Sequence, residues 1–434
     1  MAPMDPLRIG VIGGGSIFTP ELVDLLGRYA DVLGPIDLRL MDIDPERLAV
    51  VGGLCERIVA KAASPVTIRS CTTYEAAIAG ADFVLVQFRV GREEARIADD
   101  RLGLKHRIPF VETVSVCGVS AFLRSYYEVE RIAALVQQLA PDAWVMDFAN
   151  PAGMLAETFS KLGCARVVGV CNSSIVFKDA FANELGAEPD ELFMNWRGLN
   201  HLTFVDVVQW QGRNVYPELA ARLAEQPHPY MPFPAAFLET AGFLPNYYLR
   251  YHYFAPEMVE QLQAAGRTRA EEVKAVNAAI LALYRTIDHV PDELRQRGGF
   301  GYSRAVANLI RGLRTGNRAI HYANVRNGST LAELPVDSFV EVPVISLDND
   351  LRAVAVEPLP DLARSLITTM KHYETTLIEG ARRRDRRLLL HALMIHPLIG
   401  SHSLAVPLLE DILAGNREFL PPELGGRLGG ASRD

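Results

Sequence analysis

The stretch Leu7-Arg8-Ile9-Gly10-Val11-Ile12-Gly13-Gly14-Gly15-Ser16 decides the fold. A short apolar run rich in β-branched residues predicts a strand over Leu7–Gly13, and it runs straight into three glycines. Glycines after a strand let the backbone turn tightly and come close to a pyrophosphate, which a following helix N-terminus stabilises with its free N–H groups. That helix start is legible in Thr19-Pro20-Glu21-Leu22, where Thr can cap and Pro is tolerated in the first turn. Gly13, Gly15, Ser16, Ile17 and Phe18 are therefore candidate cofactor contacts, with Phe18 standing where G-x-G-x-x-G has its third glycine. Asp42 closes the second strand in Leu38-Arg39-Leu40-Met41-Asp42, placed to accept from a ribose hydroxyl, which favours NAD over NADP. A plain tight turn with a capping Asp, or the phosphate of another nucleotide, would leave the same trace.

Outward from this unit, short apolar runs alternate with amphipathic ones through the first 170 residues or so. Strands are expected at Ile36–Asp42, Phe83–Phe88, Ala143–Ala149 and Val167–Cys171, with helices at Pro20–Ala30, Pro45–Ala62 and Ala121–Leu139. That order predicts an α/β fold with a Rossmann-like doubly wound parallel sheet. After Cys171 the texture changes to α+β. Strands are expected at Glu191–Trp196, Leu202–Trp210, Ile320–Val325 and Phe339–Ser346, a broken segment from Pro217 to Pro234, and helices at Ala255–Ile287, Leu359–Ala381 and from Leu388 on. The run Arg382–Arg387 reads as a solvated face between helices. The division expected is 1–171 for the cofactor, 172–424 for substrate, metal and oligomerisation, and a frayed tail over 425–434.

Composition narrows the function classes. The chain has 434 residues, 49% hydrophobic and 22% charged, with a formal charge of −8. An acidic balance argues against nucleic acid and anionic membrane surfaces. No apolar run approaches the ~20 residues of a membrane span. The N-terminus lacks the pattern of a secretory leader. Five cysteines in so long a chain do not make a disulfide scaffold. A cytoplasmic setting is expected.

Several later motifs could carry chemistry. Asn150, in Asp147-Phe148-Ala149-Asn150-Pro151, falls at the carboxyl edge of a strand, where ligands bind in such sheets. It would also serve as a turn former before proline. Arg89 ends another strand at the same edge, and could pair with an anionic substrate group or with a surface acid. Cys171 and His201, in Gly198-Leu199-Asn200-His201, could bind Mn or Zn and leave coordination positions open, as catalytic sites do. A buried thiol and a hydrogen-bonded core histidine would look alike in sequence. Pro245–Phe254 gathers five aromatics with Arg250 and His252, which suits either a core or a sugar pocket. A Tyr there could act as base if a cation lowered its pKa. Arg297, in a glycine-rich loop, could hold an anion.

Ten stretches in this order resemble glycoside hydrolase family 4, the NAD- and metal-dependent glycosidases: GGGSIFTPEL, QFRVG, ANPAG, GVCN, GLNHL, YYLRY, RGGFGYS, NVRNGS, LPVDSFVEVP and ALMIHPL. They run from residue 13 to about 398. The resemblance implies a sheet followed by an interlocked α+β domain, as in the lactate/malate dehydrogenase-like superfamily. It implies NAD, bound through Gly13–Phe18, Asp42 and Asn150, and a divalent metal, Mn first, on Cys171 and His201. The implied route is oxidation of the sugar C3 hydroxyl, metal-assisted removal of the C2 proton by Tyr248 or its rival Tyr247, elimination, addition of water and return of the hydride. Asn172, after the metal-binding Cys, resembles the 6-phospho-β-glucosidase branch. Arg89, Arg250 and Arg297 would meet a 6-phosphate, with Asn150 and Asn172 on the sugar. The partner expected is a small glycoside, phosphorylated or free, and the assembly a homodimer or homotetramer.

One segment departs from the family. Where relatives show Gln-Glu-Thr-Thr-Gly-Pro-Gly-Gly, this chain has Val111-Glu112-Thr113-Val114-Ser115-Val116-Cys117-Gly118, and Arg92 replaces a Gly after QFRVG. Only Glu112, Thr113 and Gly118 match. Two alternatives stay open: an NAD-dependent sugar or hydroxyacid dehydrogenase, and a catalytically lapsed NAD- or sugar-binding sensor.

Overall fold

The computed structural model describes residues 5–225, 228–299 and 301–425. Six parallel strands build the first half: β1 (Leu7–Ile12), β2 (Ile36–Met41), β3 (Val66–Cys71), β4 (Phe83–Val86), β5 (Trp144–Asp147) and β6 (Arg166–Gly169). Their spatial order is β3-β2-β1-β4-β5-β6. Strand order reverses between β1 and β4, and a ligand crevice opens at such a switch point. β4 and β5 are buried at every residue because helices cover both faces.

The sheet continues into the second half. β7 (Arg197–Leu199), β8 (Leu202–Val205), β9 (Leu244–Pro245), β10 (Ile320–Arg326), β11 (Phe339–Leu347) and β12 (Asp350–Ala353) extend it as β6-β10-β11-β7-β8-β9, with β12 beside β11. β10 pairs antiparallel with β6, so the two halves share one sheet and one core running from Leu7 to Leu424.

Some expected elements differ. β3 was not among the expected strands; its VTIRSC face is half-exposed at the sheet edge, so the apolar signal is thin. Pro217 does not break the chain. It sits in the first turn of a helix over Tyr216–Glu225, where its missing N–H costs nothing. The expected helix Ala255–Ile287 is two, Ala255–Ala264 and Arg269–Leu283, interrupted at Gly266 (φ +67°) and restarted by a Thr268/Glu271 capping box. Leu202–Trp210 is likewise two strands. The Arg382–Arg387 run is extensively ion-paired: Arg382 and Arg383 meet Glu379, Arg384 meets Glu423 and Arg386 meets Glu410. Of the expected tail, residues 426–434 lie outside the described residues, and Gly425 donates to the Pro422 carbonyl. Among the described residues no helix is long and apolar enough to cross a membrane. All five cysteines are unpaired.

Candidate functional site

A cavity of about 990 Å³ opens at the carboxyl edge of the sheet and draws its walls from both halves. At one end lies the glycine turn. Gly13 adopts φ +87°, and a Cβ there would come within 2.8 Å of the Phe88 nitrogen, so only glycine fits. The Gly15 N–H donates to Asp42 Oδ2 at 2.9 Å, and Asp44 N–H donates to Oδ1 at 2.9 Å. Asp42 thus shapes the turn as well as facing the cavity. Residues far along the chain brace the same turn: the Tyr284 hydroxyl donates to the Ile17 carbonyl (2.5 Å) and Ser303 to that of Phe18 (3.1 Å). Gly13, Ser16, Ile17 and Phe18 line the cavity, whereas Gly15 stands behind them.

Asn150 lines the middle of the cavity, its peptide bond to Pro151 cis. Thr113 Oγ1 donates to Asn150 Oδ1 at 3.3 Å, and Tyr302 hydrogen-bonds the same side chain. The departing segment therefore keeps the three residues with work here. Glu112 is clamped by Arg89 and lies 3.6 Å from Arg96, which hold its carboxyl well below the usual range against the effect of burial. Thr113 sits at φ +84°. Gly118 makes room, since a Cβ there would lie 2.1 Å from the Thr113 carbonyl oxygen.

Beyond this point come the proposed ligands and bases. Cys171 ends the chain segment leaving β6, and its Sγ accepts from Ser173 N–H at 3.4 Å. It lies just behind the wall formed by Asn172 and Ser173. His201, at φ +65°, lines the cavity and is 3% exposed. Its Nδ1 is buried with no hydrogen-bond partner among the described residues. Burial pushes its pKa down to about 4, leaving the neutral imidazole that metals bind. Burial pushes the Cys171 thiol up to about 12, so a metal would displace its proton. An unpartnered imidazole nitrogen and a thiol are donors that suit a borderline-soft divalent cation. Among the described residues no group of three or more His, Cys, Asp or Glu that could hold a metal gathers.

The Tyr248 ring stacks on His201 with centroids 4.0 Å apart and planes 14° apart. Tyr247 is instead capped by Arg250, 4.0 Å above its ring. Burial raises both phenols, and at Tyr247 the Arg250 guanidinium offsets only part of that. Of the candidate arginines, Arg89 is engaged by Glu112, and Arg297 donates to Asn277 Oδ1 at 2.9 Å and to its neighbour's carbonyl. Burial and its neighbours Arg89 and Arg96 lower Arg297 to about 10. Arg250 donates to the Tyr251 hydroxyl, and its Nε is buried without a partner among the described residues. Arg96, Tyr302 and Arg269 also line the cavity and were not singled out from sequence. Tyr302 lay in a quoted motif, but nothing local signalled its partnership with Asn150.

The profile of family 4 glycosyl hydrolases matches residues 8–187, and that of the family's C-terminal domain matches 196–399. A probable 6-phospho-β-glucosidase of Bacillus subtilis is 33% identical over 430 residues, covering 96% of this chain and 97% of the relative. A 6-phospho-β-glucosidase of Thermotoga maritima is 34% identical over 419 residues, covering 95% and 99%. A crystal structure of the Thermotoga enzyme with manganese, NAD+ and glucose-6-phosphate superposes with a TM-score of 0.91 over 98% of this chain and all of that one, at 33% identity. A malate dehydrogenase of Cryptosporidium parvum shares the fold at a TM-score of 0.57 over 87% of this chain.

Proposed function

This chain belongs to family 4 of the glycosyl hydrolases, and on that footing we propose that it hydrolyses 6-phospho-β-glucosides using NAD and a divalent metal, Mn first. The observation that carries the reading is the convergence on one cavity of the Gly13 turn, Asn150, and a His201 whose unpartnered Nδ1 lies on the ring stacked against Tyr248. When bound, NAD would take and return a hydride at the sugar C3, and the metal would stabilise negative charge on the C3 oxygen.

The chain's own residues supply the rest. Gly13–Phe18 and Asp42 would hold the dinucleotide, and Cys171 and His201 the metal. Tyr248, stacked on a proposed ligand, is favoured over Tyr247 to take the C2 proton, because Tyr247 is covered by Arg250. Its phenol needs the charge of a bound metal nearby to ionise, since burial alone raises it. Asn150 and Asn172 would orient the sugar. Of the candidate arginines, Arg250 keeps a buried Nε without a partner among the described residues and would meet a 6-phosphate together with Arg297, while Arg89 already serves Glu112. The retained placement of Glu112, Thr113 and Gly118 argues against a lapsed site. We further infer a cofactor unit over 1–171, a substrate, metal and oligomerisation unit over 172–424, assembly as a homodimer or homotetramer, and a cytoplasmic setting suited to five free thiols.

The test is a panel of aryl glucosides, α and β, phosphorylated and free, assayed with and without NAD and Mn. Turnover of the 6-phospho-β substrate only with both, and no build-up of NADH, is expected. Activity that survives chelation and removal of NAD would sink the reading, and stoichiometric NADH would point to a dehydrogenase.

A further inference from the structure

Gly169 on β6, Asn324 on β10, Glu341 on β11 and Gly198 on β7 lie in register across four adjacent strands. Gly169 on this row and Gly153 nearby leave space for the amide side chains beside them. A Cβ on Gly169 would lie 2.9 Å from Asn324 Cβ, and one on Gly153 would lie 3.1 Å from both Asn200 Cβ and Asn324 Oδ1. In this space Glu341 is fully buried, and no cation pairs with it among the described residues. A carboxyl so placed is costly unless its oxygens are well occupied.

They are. Oε1 accepts from Trp196 Nε1 at 2.9 Å, Oε2 accepts from Asn200 Nδ2 at 2.9 Å, and Asn324 also hydrogen-bonds the carboxyl. The contacts of Asn324 and Asn200 lead toward the proposed metal centre. Asn324 Nδ2 donates to the carbonyl of Gly169 at 3.3 Å, two residues before Cys171. Asn200 directly precedes His201, and its side chain also hydrogen-bonds Cys171. One buried carboxyl is thus joined to both segments that carry the proposed ligands, although it lies 140 residues from His201 and 170 from Cys171 in sequence.

We propose that Glu341 is a positioning residue of the metal centre: by accepting from Asn200 it fixes which end of that amide faces the Cys171 sulfur, and through Asn324 it sets the strand of Cys171 against the turn of His201. Both oxygens must accept, so a glutamine, with a donor on one side, would oppose the Asn200 amide and turn it. The proposal rests on Cys171 and His201 being the ligands. Partners of this kind typically govern metal affinity through the ligands they orient.

The test titrates Mn2+ into the NAD-loaded enzyme by calorimetry, for the wild type, Glu341→Gln and Trp196→Phe. Absorbance of the Co2+-loaded proteins reports the sulfur-to-cobalt band. Glu341→Gln is expected to weaken Mn2+ binding by about 10–100-fold and to diminish the cobalt band, with NAD affinity unchanged. Trp196→Phe frees only Oε1 and should give a smaller loss in the same direction, which keeps the test open if Glu341→Gln does not fold. Wild-type Mn2+ affinity in a folded Glu341→Gln, even with a lowered melting temperature, would overturn the proposal, as would unchanged affinity in Trp196→Phe where Glu341→Gln fails to fold. A wild type that binds no Mn2+ would overturn the metal reading itself.

Discussion

At the scale of single residues the cavity assigns work by contact. Tyr248 and Tyr247 are neighbours in sequence, yet one stacks on His201 and the other lies under Arg250. Replacing Tyr248 by Phe removes the hydroxyl and keeps the stack. Proton-transfer catalysis is worth about 10²–10⁴-fold, so kcat should fall by that order while KM holds, and Tyr247→Phe should cost far less. Steady-state kinetics of both variants decide between them, and an unchanged Tyr248→Phe rate would transfer the role. Cys171→Ser should retain NAD binding, measured by fluorescence titration, and lose turnover by about 10³-fold or more, the worth of several kcal/mol of metal-assisted stabilisation. Normal turnover in that variant would remove Cys171 from the metal site. The residues that matter here were partly legible. Cys171, His201 and Tyr248 stand in recognisable motifs, but Arg96 and Tyr302 gain meaning only from partners remote in sequence, Glu112 and Asn150.

Elements show the same division. The helix over Pro45–Ala62 lies where its sequence places it, because its start is written locally: Asp44 accepts from Arg47 N–H and Pro45 opens the first turn. The helix over Tyr216–Glu225 was obscured by prolines, although Pro217 occupies a position where proline is harmless. β3 was missed because an edge strand needs only one apolar face and half of it is exposed. The departing segment Val111–Gly118 is the sharpest case. It leads into a helix over Val116–Leu139, and its Thr113 carbonyl fills the space that a Gly118 side chain would need. Gly118→Ala should therefore destabilise the protein by about 1–3 kcal/mol, the usual cost of overpacking a core. It should also weaken the Glu112 clamp, seen as a raised KM for the phosphorylated substrate. A melting temperature equal to wild type would show that the helix start shifts freely.

On the scale of the whole molecule, the shared core buries ionisable groups deeply. His396, fully buried, has its pKa pushed down to about 3, and its Nδ1 accepts from Leu398 N–H at 3.2 Å. The unfolded chain takes up that proton near pH 6.5, whereas the folded chain does not. Stability is thus full above about pH 6.5 and declines as pH falls toward 3, with slope set by the extra protons of the unfolded state. One such histidine contributes about 1.4 kcal/mol per pH unit. Chemical denaturation between pH 7 and pH 5 should show a clear loss, and His396→Asn a shallower one even if it begins less stable. Equal slopes would mean that His396 takes up a proton without unfolding.

The amino-acid sequence by itself determined the parallel sheet and the glycine turn, because each rests on rules that act within a few residues: apolar periodicity, capping, and the freedom of glycine; Cys171 and His201 were marked only by resemblance to a family. What only the tertiary structure decided is who meets whom. A single sheet running from β3 through β6 to β9 sets Asn324 and Glu341 behind Cys171 and His201, stacks Tyr248 on His201, and lets Tyr284 and Ser303 brace a turn at residues 17 and 18. Those pairings span up to 285 residues of sequence. They are set by strand register and burial across the shared core, and no local pattern encodes them.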